Sequence, residues 1–544
     1  MRHSGRARGW LWLGLVVLLA LGLRLGRWSE ERQGPQGRAP SGDEGTYDRW
    51  ALRLVGSAPP REVPYMAPLQ AWSLAAWHAA LPPDRARDAQ RLLQVALGAG
   101  TALLAGLMGR RVGGPRVGVV AGAAVALHLP LVYYEPTLLR DGPATFLCAA
   151  AGLALIGLLR AASPARGLLL GLLCGLAALC RENLLLVSGA GLGLLLLWAL
   201  RAGQREVRAS RAGAVLAAAA GLMVPLLPLL SANAALEGRW NPLPTWNGGC
   251  VFYLSNRAEA AGATYHAPPF VRLATPEGEQ AGFRAEAERQ LGRSLTPHEV
   301  SSYWLERGLR EVAARPLSYL RRVATRAVYY LAGQELVHAR DLRLDREDSR
   351  VLRLPGVGFG VLAAFALLGG LGARHRLPVR GLVAVCLLLL LTTVVVAFSS
   401  RYRLPAVPLL APLAALGARG ATLALRRGRP GPLLGGVALA LLCTWIPVPY
   451  TAAQRSTGRL NRALTWMELG EPERAFAELD RLPAGTTTSL AWRRLGELLR
   501  LNGERALAEA AFARALGAGL PAGGPAPNAA SPGSAHDGSP PQRE

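Results

Sequence analysis

The sequence predicts an all-α membrane protein of about eleven transmembrane helices, with outer juxtamembrane helices and a C-terminal helical-repeat domain. Three observations carry this. Half of the 544 residues are hydrophobic, and the mean hydropathy is +0.22, too apolar for an ordinary soluble chain of this size. Many runs reach about 18 apolar residues, the length that crosses a bilayer as a helix. The charge is placed asymmetrically, gathered in the short connections between those runs.

The candidate spans, in order, are 10–28, 91–109, 116–134, 142–159, 167–180, 184–200, 212–234, 351–373, 378–398, 404–425 and 432–450. The first follows a basic start, "MRHSGRARGW", and has no small-residue cleavage site, so it reads as an uncleaved span. With the N-terminus inside, alternate connections carry Arg110, Arg111 and Arg116; Arg160 and Arg166; Arg201, Arg205, Arg208 and Arg211; Arg374, Arg376 and Arg380; and Arg426, Arg427 and Arg429. Every one satisfies the positive-inside rule. Residues 29–90, the loop 235–350 and everything after 450 then fall outside. The loop holds 16 Arg against 14 Asp and Glu, close to neutral. The stretch 65–81, "YMAPLQAWSLAAWHAAL", is apolar but short and carries Trp72, Trp77 and His78, as interfacial helices do.

All 61 basic residues are Arg, most simply a coding bias, so the net charge of +25 does not point to nucleic acid. Five of the six Cys lie in apolar runs as small hydrophobes, and no disulfide framework or metal spacing emerges.

Chemistry is concentrated at the outer rim. "SGDEGTYDRWALRLV" puts Asp43 and Glu44 at the head of an amphipathic helix. Ser41 and Glu44 have the spacing of a capping box. Asp43 begins the apolar stripe of Tyr47, Trp50, Ala51, Leu54 and Val55, whereas Glu44 falls over Asp48 on the wetter side. "YYEPTLLRDGP" adds Glu135 and Asp141, where Asp141 also suits a helix cap. "CRENLL" adds Arg181, and "SSRYRLP" adds Arg401 and Arg403. Any one Arg at an interface can simply snorkel, but three on the disfavoured side suit a phosphate at headgroup level. Two carboxylates there could share a divalent cation or divide proton work.

In this order, the N-terminal span, the outer Asp-Glu, "EPTLLRD", the Arg after the fifth span and "RYRLP" resemble the GT-C glycosyltransferases. They look like the bacterial protein O-mannosyltransferase-like group (family 39), and are similar also to aminoarabinose transferases acting on lipid A. "NGGCVFYLSNRAEAAGATY" (247–265) resembles the outer loop of members bearing tetratricopeptide repeats. The resemblance covers roughly residues 10–450. It implies an enzyme of the bacterial inner membrane that passes a sugar from a polyprenyl-phosphate donor to a protein, lipid or glycan hydroxyl on the periplasmic face, with inversion. Asp43 takes the role of catalytic base with Glu44 beside it; Asp141 and Glu135 form the second acidic site, for acceptor or metal; Arg181, Arg401 and Arg403 bind the donor phosphate. A divalent metal, on Asp43 and Asp141 if anywhere, stays open because no further ligand stands out. A lipid-linked glycan transporter or polymerase, or a non-catalytic scaffold, are the alternatives. Charge gathered at the rim rather than mid-span favours the enzyme.

The chain divides into a membrane module (1–234, with the first outer loop 29–90), the large periplasmic loop (235–350), further transmembrane helices (351–450), repeats (451–520) and a disordered tail (521–544). In the loop, "FRAEAERQLGRSL" and "SYWLERGLREVAARPLSYLRRVATRAVYYL" read as helices, the latter with Trp304, Leu305, Leu309 and Val312 on one face, packing over the membrane domain. In the repeats, Ala463/Gly496, Gly470/Gly503, Ala475/Ala508 and Leu479/Phe512 are each 33 apart, close to the tetratricopeptide period. They could bind a periplasmic protein partner.

Overall fold

The computed structural model describes residues 2–56, 62–260, 267–271, 275–337, 340–483, 485–501 and 503–517. The tail expected at 521–544, and the end of the 247–265 motif, lie outside these. Among the described residues every regular element is helical.

The membrane part begins with α1 (Arg2–Gln33), the short α2 (Pro35–Arg38), and the helices α3 (Gly42–Val55) and α4 (Leu69–Ala80). It continues through α5 (Pro83–Gly113), α6 (Pro115–Ala126), α7 (Leu129–Tyr134), α8 (Asp141–Arg160), α9 (Pro164–Cys180), α10 (Asn183–Leu200) and α11 (Arg205–Glu237). The loop region supplies α12 (Asn247–Asn256), α13 (Pro276–Leu291), α14 (Pro297–Ala314), α15 (Pro316–Leu331) and α16 (Leu342–Asp348). Then come α17 (Phe359–Gly372), α18 (Leu377–Val395), a 3₁₀ turn (Ser400–Ala406), α19 (Val407–Arg426) and α20 (Gly431–Thr444). Four more helices, α21 (Ala452–Glu468), α22 (Pro472–Asp480), α23 (Thr486–Leu501) and α24 (Arg505–Gly517), complete the described chain.

Seven helices are long and apolar enough to cross a membrane, and four shorter apolar ones (α6, α9, α17 and α20) match the remaining candidate spans. The stretch 65–81 yields only the 12-residue α4, which is not among them. Three expected spans are shorter than the apolar runs. Residues 116–134 break at Leu127–His128, ahead of Pro130, which has no N–H for the Ala126 carbonyl; there Leu127 O accepts the Val357 N–H at 2.9 Å and His128 Nδ1 bonds Val357 O at 2.8 Å. Helix α17 starts at Phe359 rather than 351, after Pro355 and Gly356, and α20 stops at Thr444 before Pro447 and Pro449.

Helix α9 packs closely on α11. Gly167, Gly171 and Gly175, four apart, line the contact, and a Cβ at Gly171 would lie 2.0 Å from the Ala218 carbonyl. Small residues at this spacing let backbones touch where water supplies no driving force. The two ends of the bundle are chemically distinct. Helix α8 is 20 residues, about 30 Å long. Asp141 starts it; Arg160 ends it, donating to the Arg111 carbonyl. Arg376 and Arg419 likewise bond the Val112 and Gly113 carbonyls (2.8 and 2.7 Å), so these Arg-rich connections meet at the end away from Asp141.

At the Asp141 end, the two outer loops share one core: Tyr47, Val63, Tyr65 and Met66 pack with Trp246, Cys250, Phe283 and Trp304. The predicted long amphipathic helix is broken at Arg315–Pro316, and its face is narrower than expected. Trp304 is buried against α12 and α13, but Leu305 and Leu309 are exposed. The repeats form two helix pairs, α21–α22 and α23–α24, around Trp466, Leu479, Trp492 and Leu495. Gly470 and Gly503 both take left-handed φ (71° and 83°), so the 33-residue period reaches the backbone.

Candidate active site

Asp43 stands in the first turn of α3. Gly42 turns the chain into this helix at φ 55°, a conformation strained for any side chain. Ser41 makes no side-chain cap, so the capping box is not formed. The helix instead begins with two carboxylates at the positive end of its dipole. The expected facing is reversed. Glu44 and Asp48 are buried, whereas the Asp43 side chain is 25% exposed.

Four of the expected residues, from four separate segments, meet in one chain of ion pairs. Arg401 Nη2 donates to Asp43 Oδ2 at 2.6 Å, and its Nη1 lies 3.7 Å from Asp141 Oδ2. Arg181 Nη1 donates to Asp141 Oδ1 at 2.5 Å, and its guanidinium stacks on the Tyr402 ring at 4.4 Å. Asp141 is buried in the first turn of α8 and Arg401 sits in the 3₁₀ turn. Arg181 occupies the extended break between α9 and α10, tied back to the Ala177 carbonyl at 2.8 Å.

The other three are placed elsewhere. Glu44, expected at the reactive edge, accepts the Leu138 N–H at 2.9 Å and pairs with Arg340 Nε at 2.8 Å. Burial raises its pKa and outweighs Arg340. It fastens α3 to the 135–141 loop. Glu135 is fully buried and paired with Arg24 of α1, not with Asp141, in space kept open by the missing side chain of Gly98. Arg403, expected on a donor phosphate, is spent on the carbonyls of Tyr330 and Ala332 (2.7 and 2.6 Å) and on Glu335 at 2.5 Å. A 3₁₀ helix turns about 120° per residue, so Arg401 and Arg403 point to different sides.

Sequence reasoning missed Arg340, which pairs with both Glu31 and Glu44, and the role of Tyr402 behind Arg181. Arg340 is one of 16 Arg in its loop and carries no local signal. Beside the site, Glu182 accepts Arg140 (2.8 Å) and the Ala67 N–H (2.7 Å). Burial alone would raise its pKa, but Arg140 prevails and lowers it.

The donor set does not suit a dedicated divalent site. No group of three His, Cys, Asp or Glu gathers among the described residues, and the Arg401 guanidinium lies between the Asp43 and Asp141 carboxylates.

An apolar groove of about 270 Å³ lies between α8, α9, α10, α11 and α18. Ala177 and Leu184, on either side of Arg181 in sequence, line one end; Trp198, Leu377 and Arg380 line the other. Along α10 from Leu184 to Trp198 it covers about 21 Å.

No family model matches the chain, and no curated protein matches it significantly. Solved structures do. The oligosaccharyltransferase AglB of Archaeoglobus fulgidus, in complex with an inhibitory peptide and a dolichol-phosphate, is 14% identical over 87% of this chain and 59% of its own, with a TM-score of 0.45. The chain thus spans well under two thirds of that protein. ArnT from Cupriavidus metallidurans, bound to undecaprenyl phosphate, is 14% identical over 93% of this chain and 75% of its own, with a TM-score of 0.46. With TM-scores below 0.5, the reading of function rests on the site itself.

Proposed function

We propose that this protein is a membrane glycosyltransferase that transfers a sugar from a polyprenyl-phosphate donor to an acceptor hydroxyl. The observation that carries the reading is the chain Asp43–Arg401–Asp141–Arg181, together with an apolar groove whose lining includes Ala177 and Leu184, the residues that flank Arg181 in sequence. The groove takes part of the isoprenoid tail, and Arg181 and Arg401 face the phosphate. Fixed guanidinium groups stabilise charge that builds on a departing phosphate without reorganising. Asp141 orients both, and Tyr402 braces Arg181. The carrier phosphate is already a stable anion, so no strong general acid is needed. Asp43, the partly exposed carboxylate, accepts the acceptor's proton as its oxygen bonds the anomeric carbon. The bond from that carbon to the phosphate oxygen breaks with its electron pair, in one displacement that inverts the centre.

The positive-inside rule puts the Arg-rich end in the cytoplasm and this site at the periplasmic face of a bacterial inner membrane. The test is transfer of labelled sugar from a polyprenyl-phosphate donor in proteoliposomes. Wild type transfers; Asp43→Asn folds, binds donor and loses transfer by about 10²-fold or more, as removal of a general base does. Full activity in Asp43→Asn sinks the assignment.

A further inference from the structure

The site is fastened to the C-terminal repeats by a continuous line of polar contacts. Arg340 stands at its inner end, with Nε on Glu44 at 2.8 Å and Nη2 on Glu31. Glu44 neighbours Asp43 in the first turn of α3 and also accepts the Leu138 N–H, three residues before Asp141. The Arg340 guanidinium lies over the Tyr133 ring at 5.6 Å, and the Tyr133 hydroxyl donates to Asp345 of α16. From there the contacts pass into the repeats. Arg462 of α21 lies 3.7 Å from Asp345 and donates to Asp348 at 2.7 Å, while Arg459 pairs with Glu347. A polar cavity of about 90 Å³ opens beside Arg462, lined also by Glu30, Glu31 and Asp345, so charge rather than apolar packing joins the parts there.

We propose that the repeats are a positioning element of the active site: Arg459 and Arg462 hold the 340–351 segment so that Arg340 locks Glu44, and with it the turn bearing Asp43. This rests on the reading of Asp43 as the base. A domain that served only to capture a partner would need no acidic helix clamped beneath it. These are positioning residues, since none touches the Asp43–Arg181 chain. A partner seated on the repeats could therefore alter transfer from a distance.

The experiment uses the full-length protein in nanodiscs, comparing wild type, Arg462→Ala and Arg462→Lys, which keeps the charge facing Asp345, Asp348 and Glu478. Amide exchange over residues 42–50 is read without substrate, and kcat and donor KM with it. In Arg462→Ala, exchange over 42–50 rises at least about threefold, as expected when a local lock opens. Its kcat falls about tenfold, in keeping with the sensitivity of catalysis to small displacements, while donor KM stays within about twofold. Arg462→Lys keeps both near the wild-type values. Unchanged exchange with unchanged kcat overturns the proposal, as does faster exchange with full kcat. Should Arg462→Ala unfold, Asp348→Asn makes the same comparison with one fewer ion pair. If wild type itself transfers no sugar, the glycosyltransferase reading fails, and the exchange result still decides the coupling.

Discussion

Arg401 and Arg403 are two residues apart in one turn, yet they serve opposite ends. Arg401 bridges the Asp43 and Asp141 carboxylates; Arg403 is sealed in, satisfying backbone carbonyls and Glu335. Removing a buried, paired charge strands its partners and costs roughly 3–5 kcal/mol. Arg403→Gln should therefore lower Tm markedly, whereas Arg401→Gln should give the smaller Tm shift and the larger loss of transfer. Thermal unfolding beside the transfer assay checks this, and the reverse ranking would count against the assignment. The sequence could not separate the two, because both sit in the same short motif. It did single out Asp43, Asp141, Arg181 and Arg401, because charge at the edge of an apolar span is costly unless it has a partner or a task. Glu44 and Glu135 were grouped with them by the same logic. Their partners, Arg340 and Arg24, lie far off in the chain, and only the folded structure brings them near.

Among elements, apolar length was the legible signal, and helix ends were not. Each of the eleven expected spans meets an apolar helix, but Pro130, the 355–356 turn and Pro447 trim three of them. The glycine stripe of α9 makes a direct prediction. Gly171→Leu forces a side chain into the Ala218 backbone and should destabilise by about 1–3 kcal/mol or more, seen as a lower Tm in detergent. The groove gives another. Gly191 lines it with open space where a Cβ would stand. Gly191→Phe should raise KM for a long-chain donor while sparing a short-chain analogue; equal effects on both would argue that the tail lies elsewhere. At the repeats, burial raises Asp348, but the Arg462 hydrogen bond and the charges of Arg462 and Arg481 outweigh it and leave the carboxyl below its ordinary value. A depressed carboxyl stabilises above the ordinary aspartate range, near ~4, and that contribution is lost as pH falls through the lower folded value. Amide protection of α16 should thus be retained at neutral pH and lost on acidification below that range, and Asp348→Asn should abolish the dependence.

For the whole molecule, the account depends on polarity from end to end: Arg-rich turns at one end, and paired carboxylates and guanidiniums at the other, about 30 Å apart along α8. That polarity was readable from the sequence, because the spacing of Arg between apolar runs is a one-dimensional record of which connections share a side. The core that residues 47–66 share with 246–304 and the clamp of the repeats on α16 were not, since both depend on pairings between residues more than a hundred positions apart. The most direct measurement is a density map of the protein with a polyprenyl phosphate bound. The account predicts the phosphate against Arg181 and Arg401, within reach of Asp43, with the tail entering the groove beside α10. A phosphate seated at the Arg160 end, or clear of both guanidiniums, would contradict it.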